Sequence, residues 1–190
     1  MRATFRLLPS AAALAALAAC ADPLRVKATS EVFTDTLTVY ALNRSPSYFP
    51  STINTLLGRA IAPTSPASFD VGVDIDDQQR AVIYPNKLVV GPLYSTHRVG
   101  AQIVDAPFES ITTAPRRNYN YDAPTVAAAN TVVAIAADNP ACATSLATTI
   151  YSKLVVDTVR LDAPAPYVRL RITVDPNCGF RSFLPGIPKD

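Results

Sequence analysis

Proline sets the first limit on this chain. It has 17 Pro and only 6 Gly in 190 residues. A helix interior rejects proline, whose ring lacks an N–H and clashes with the preceding turn. The prolines divide the chain after residue 20 into short pieces rich in Val, Thr, Ile and Tyr, which predicts strands rather than long helices. So few glycines also leave no glycine-rich loop to cradle a phosphate. Hydrophobic residues make up 49% and charged residues 17%, too apolar for a disordered chain and enough for one sizeable core.

The pieces read in order as follows. Glu31–Leu42 alternates, with Phe33, Leu37, Val39 and Ala41 on one face and Thr34, Thr36 and Thr38 on the other. Ser51–Ala60 reads as one or two helical turns, capped by Ser51 and stopped at Gly58. In Ser68–Ile75, Phe69, Val71, Val73 and Ile75 face inward, while Asp70, Gly72 and Asp74 form a solvated outer face. Strands are further expected at 81–84, 87–90, 97–105, 108–112 and 131–137, with a hairpin of 150–161 and 167–174 around Ala163-Pro164-Ala165-Pro166. Such spacing predicts an all-β chain, an antiparallel β-sandwich of about seven to nine strands. It is similar to immunoglobulin-like or fibronectin-type modules, without their core Trp.

The N-terminus sets the compartment. Arg2 and Arg6 precede an uncharged Ala/Leu-rich run, Leu7–Ala19. That run is shorter than the roughly 20 apolar residues of a spanning helix and matches a signal segment, itself expected to be helical. It ends in Leu17-Ala18-Ala19-Cys20, which resembles the lipobox of bacterial lipoproteins: an aliphatic residue, two small residues, then Cys. The resemblance implies cleavage before Cys20, lipidation of its thiol by a diacylglyceryl group, and acylation of the new amine. Residues 1–19 are then a signal peptide, 20–30 a lipidated tether, and 31–190 one domain. It also implies a periplasm-facing, membrane-anchored protein of the bacterial cell envelope. Asp22 stands one place beyond the position that retains enterobacterial lipoproteins in the inner membrane, which favours the outer membrane.

Residues 1–19 hold two Arg and no acid, so the mature chain has 15 basic and 15 acidic residues. A net charge of zero gives no electrostatic footprint for nucleic acid. With Cys20 assigned to lipid, Cys142 and Cys178 remain as an even pair in an oxidising space, which predicts a disulfide.

Sites of chemistry are few. A nucleophilic triad has to use His97, the one histidine, and no G-x-S-x-G elbow occurs. A lone His between Thr96 and Arg98 at a strand entrance reads as a hydrogen-bonded strand-end residue. Asp70, Asp74 and Asp76 share strand parity, but the calcium-loop pattern is not matched. No cofactor or metal is expected, and no catalysis. The loop Arg116-Arg117-Asn118-Tyr119-Asn120-Tyr121 carries the residue types enriched at protein interfaces, so Arg116, Arg117, Tyr119 and Tyr121 are candidate partner contacts. The tail Cys178–Pro188 is apolar; it reads as a strap over an open edge of the sandwich, pinned by Cys178, with Phe183 a further candidate contact. The Leu37-Thr38-Val39-Tyr40 strand and this tail resemble those of envelope lipoproteins. Because no enzyme template fits, the chain reads as a non-catalytic, lipid-anchored structural or interaction subunit with a protein partner in the envelope. Proteins of similar layout include an accessory periplasmic subunit of a photosynthetic reaction-centre and light-harvesting complex; a carbohydrate- or calcium-binding module is the other alternative.

Overall fold

The computed structural model describes residues 27–189, so Cys20, the signal segment and most of the tether lie outside the described residues. Ten strands form two antiparallel sheets. The first has the order β1 (Phe33–Tyr40), β10 (Tyr167–Asp175), β9 (Thr149–Arg160), β8 (Val132–Asp138), β6 (Val99–Val104). The second has the order β3 (Arg59–Ile61), β2 (Thr52–Asn54), β4 (Val71–Ile75), β5 (Ala81–Pro85), β7 (Thr125–Ala127). One apolar cluster is lined from both sides. Leu37 and Val39, Leu170 and Ile172, Leu154 and Val156, and Val133 and Ile135 come from the first sheet; Ile53, Val71, Val73 and Ile83 come from the second. The chain is an all-β antiparallel sandwich. Three-residue strands carry the count to ten, above the expected seven to nine. The order also departs from the ABED and CFG sheets of an immunoglobulin domain, because β8, β9 and β10 run as one meander and β1 closes against β10.

Three expectations are corrected. Ser51–Ala60 is not helical; β2 and β3 pair as a hairpin. Gly58 adopts φ 57° in its turn, and the Asn54 side chain accepts from the Leu57 N–H. A left-handed glycine serves a hairpin turn as well as a helix stop, so the signal was real and its context different. The run 87–90 is not a strand but one helical turn, α1 (Asn86–Val90). Asn86 is buried, its side chain donating to the Pro66 and Phe69 carbonyls, and this turns the chain back over β4, where Val89 packs against Gly72. Over 108–112 the chain makes a 3-10 turn, Phe108–Ser110, in place of a strand. Ser110 closes it by donating to the Pro107 carbonyl.

The outward acids of Ser68–Ile75 are not solvated. Asp70 accepts from the Thr55 N–H (2.6 Å) and hydroxyl (2.7 Å), and meets His97 Nε2 at 2.8 Å. Asp74 accepts from Asn43 Nδ2 at 2.6 Å. Segment 42–44, α1 and the approach to β6 lie over that face, and a buried carboxylate needs such donors.

The C-terminus is held by a polar junction at the end of β10. Asp175 is fully buried and accepts from the Asn177 N–H and Nδ2 and from the Ser182 N–H. Asn177 Oδ1 accepts from the Thr29 and Ser30 N–H groups, and its Nδ2 also donates to the Ser30 carbonyl. Beside it, Cys178 is bonded to Cys142, with a Cα separation of 5.6 Å.

Two outcomes follow from this junction. The disulfide spans a sequence separation of 36, for which loop-closure entropy gives about 3.8 kcal/mol. Replacing both cysteines by Ala should lower the unfolding free energy in urea by about 2–4 kcal/mol. The second outcome concerns pH. Burial raises the Asp175 pKa above 3.8, against its hydrogen bonds from Asn177 and Ser182. The folded chain therefore holds this proton to higher pH than the unfolded chain does. The stabilisation is full below 3.8 and is lost as pH rises through the raised native value. The stability advantage of wild type over Asp175→Asn should thus be largest in acid and shrink toward neutrality in pH-dependent urea melts.

Candidate functional site: a ribbon over the first sheet

The residues singled out in the loop and tail come together on the outer face of the first sheet. Segment 112–114 and tail 181–183 run antiparallel. Thr113 bridges Ser182, the Ala114 N–H donates to the Arg181 carbonyl, and the Phe183 N–H donates to the Thr112 carbonyl. Arg181 also donates through Nη2 to the Ala114 carbonyl. The ribbon covers a second apolar cluster of Phe108, Ile111, Ala114 and Phe183 on Val132 and Val155.

A lysine lies under that cover. Lys153 points outward from β9 yet is buried, and its Nζ donates to the carbonyls of Phe108 (2.5 Å) and Ile111 (2.9 Å). It also sits 4.2 Å from the Phe108 ring centroid and 5.5 Å from that of Phe183. Burial pushes the Lys153 pKa down, opposed by the Glu109 carboxylate. The two carbonyls and the ring faces replace the water that its ammonium loses.

The loop then follows the free edge of β6. Asn120 and Ala101 exchange backbone hydrogen bonds of 2.9 and 3.0 Å, and Gln102 donates to the Arg117 carbonyl. This caps an edge that would otherwise present unpaired N–H and C=O groups. Lys87 of α1 pairs with Asp122, tying the loop to the second sheet as well.

Each sequence-predicted contact has a definite place. Arg116 and Arg117 are exposed. Tyr119 and Tyr121 are half-buried, packed against Gly100. The Tyr119 hydroxyl donates to the Pro115 carbonyl at 3.0 Å, and burial raises its pKa, helped by Tyr151. Arg98 stacks on the Tyr121 ring at 3.7 Å. Phe183 is 5% exposed and is a core residue of the ribbon, so its ring is not offered to a partner. The tail is therefore a strap, but it lies over a sheet face and its exposed apolar residues are Leu184 and Ile187.

Sequence reasoning did not find two features. Lys153 sits in a run, Tyr151–Val156, whose alternation marks it as outward, and nothing local says that a distant loop will cover it. The Asp70–His97 contact spans 27 residues. With its proton on Nε2, the His97 imidazole donates to Asp70 and accepts at Nδ1 from Thr96 Oγ1 (2.9 Å). Its ring is buried, with Oδ2 of Asp70 already engaged by Thr55, and the arrangement pins segment 95–97 onto β4. Among the described residues no group of three or more His, Cys, Asp or Glu is arranged to hold a metal. Comparison with protein families and with curated proteins finds no match to this chain.

Gly100 gives the test of how the loop is seated. A Cβ there would stand 2.7 Å from Tyr121 Cε1 and 2.9 Å from Tyr119 Cβ. Gly100→Ala should therefore destabilise by about 1–3 kcal/mol, and limited proteolysis should cut faster within 115–122. Unchanged cleavage would show that the tyrosines do not depend on this close approach.

Proposed function

We propose that this chain is a non-catalytic, lipid-anchored protein of the bacterial cell envelope. It faces the periplasm and docks through its ribbon surface on another envelope or membrane component. Cys20 carries the lipid, and the outer membrane is the favoured site. One observation carries this reading. The chain coming from Cys20 joins the domain at the tail: Thr29 and Ser30 bond to Asn177, and Val32 bridges Gly186. The exposed Leu184, Ile187, Arg116 and Arg117 belong to the same ribbon and tail. An anchor at Cys20 would thus hold the domain by the side that offers apolar and cationic groups. Among the described residues no helix is long and apolar enough to cross a membrane.

Two measurements test it. Mass spectrometry of the native protein should show an N-terminal acylated Cys20, and Cys20→Ser should leave the membrane fraction. A photo-crosslinking residue at position 117 should give adducts with an envelope component in cells. The same residue at position 48, in the loop beyond the opposite end of β1, should not. An intact Met1, or adducts equal at both positions, would overturn the reading.

A further inference from the structure

The tail and the loop form a cleft of about 390 Å³, whose eight lining residues include Arg116, Arg181 and Lys189. Three of the eight are thus cations. Among the described residues none of the three pairs with a carboxylate. Arg181 spends Nη2 on the Ala114 carbonyl and leaves its Nε buried without a hydrogen-bond partner. Like charges gathered around one cleft favour an anionic occupant, and arginine matches phosphate geometry well. Thr113 and Ser182 add hydroxyls, and Phe180, Leu184 and Pro188 supply the apolar walls. Leu184 (55% exposed) and Ile187 (49%) extend them outward, around a second, smaller hollow with Pro185 and Pro188.

The position of the cleft supplies the occupant. Gly186 bridges Val32, and nine residue steps separate Thr29 from Cys20, at most about 30 Å of extended chain. A lipid on Cys20 therefore keeps the cleft within reach of the bilayer surface. The mature chain is electrically balanced, so the attraction is local to these three side chains rather than a field of the whole protein.

We propose that this cleft binds the phosphate headgroup of an anionic membrane lipid, with Leu184 and Ile187 resting on the acyl boundary. The inference rests on lipidation of Cys20 only for what brings the membrane close. It names the component that the ribbon surface meets. A free phosphate would use the arginines and leave the apolar rim idle.

The test uses a chain starting at Ala21. The two sheets and both apolar clusters are built from residues that this chain retains, so it keeps the fold without its anchor. Vesicles of phosphatidylcholine alone are compared with vesicles about one third phosphatidylglycerol, by co-sedimentation. Binding should be at least about tenfold tighter to the anionic vesicles, since each cation at the surface contributes roughly a factor of five or more. Arg116→Glu with Lys189→Glu should abolish that preference. Leu184→Ser with Ile187→Ser should weaken binding several-fold while keeping it. All four sites are on the exposed rim or half-exposed, and an unchanged melting temperature confirms that each variant is folded. Equal binding to both vesicles, no binding, or charge reversal without effect would overturn the proposal. So would full displacement by inorganic phosphate at the concentration of lipid phosphate, which would mark a free-anion pocket. Failure here with an acylated Cys20 leaves the anchor standing; binding here with an unmodified Cys20 leaves the cleft standing.

Discussion

The buried carboxylate of Asp175 is the point on which the two ends of this chain depend. It accepts three N–H donors, two from Asn177 and one from Ser182. Asn177 in turn takes the backbone of Thr29 and Ser30. A carboxylate with no exposed surface is tolerable only while its donors stay in place, because stranding it costs several kcal/mol. The tail cannot lift without losing the Ser182 donor, and Asn177 cannot turn without releasing the N-terminal segment. The Cys142–Cys178 bond stands next in sequence and closes the same corner covalently. Pairing of β1 with β10 completes the arrangement, since it brings the first and last strands to one edge of one sheet.

A sandwich needs one buried face per sheet, and this chain buries part of a second. Over the first sheet lie the 3-10 turn at 108–110 and the ribbon; over the second lie segment 42–44 and α1. Each covered face holds a polar group met by a later segment: Lys153 by the Phe108 and Ile111 carbonyls, and Asp70, already bonded to Thr55, by His97 on the approach to β6. Such groups add little net stability compared with apolar residues, but they make a misplaced cover costly. The covers are thereby held in register by polar contacts, while the central core supplies the apolar area.

This division explains what could be read from the sequence. Strands facing the central core show their period plainly: Val71, Val73 and Ile75 alternate, and so do Leu37 and Val39. The sandwich and the disulfide follow from local pattern and from cysteine count. The failures all lie on the covers or on short hairpins. In 87–90, Val89 is β-branched and apolar because it packs on a sheet face at Gly72, not because it belongs to a strand. Gly58 marks a left-handed turn in either of two contexts. Asp70 reads as solvated because alternation reports which side of the strand a residue takes and says nothing of what arrives there later in the chain. Tyr119, Tyr121 and Phe183 were legible as a group with a purpose, but their first purpose is to seal the sheet.

That last point bears on how function and stability are distributed over the surface. The ribbon is assembled from side chains that point two ways. Phe183, Tyr119 and Tyr121 point down and hold the cover; Arg116, Arg117, Leu184 and Ile187 remain outside. Truncating an inward aromatic opens a sheet face and a β6 edge, so any loss of association that it causes reports folding first. The outward residues can change with little effect on the core, because exposed substitutions away from caps and clusters usually alter stability by less than about 0.5 kcal/mol. A surface built this way can vary its chemistry while its backbone is fixed from beneath. On the docking reading proposed above, the face turned to a partner is set by where the chain enters the domain, beside Gly186, rather than by loop 116–121.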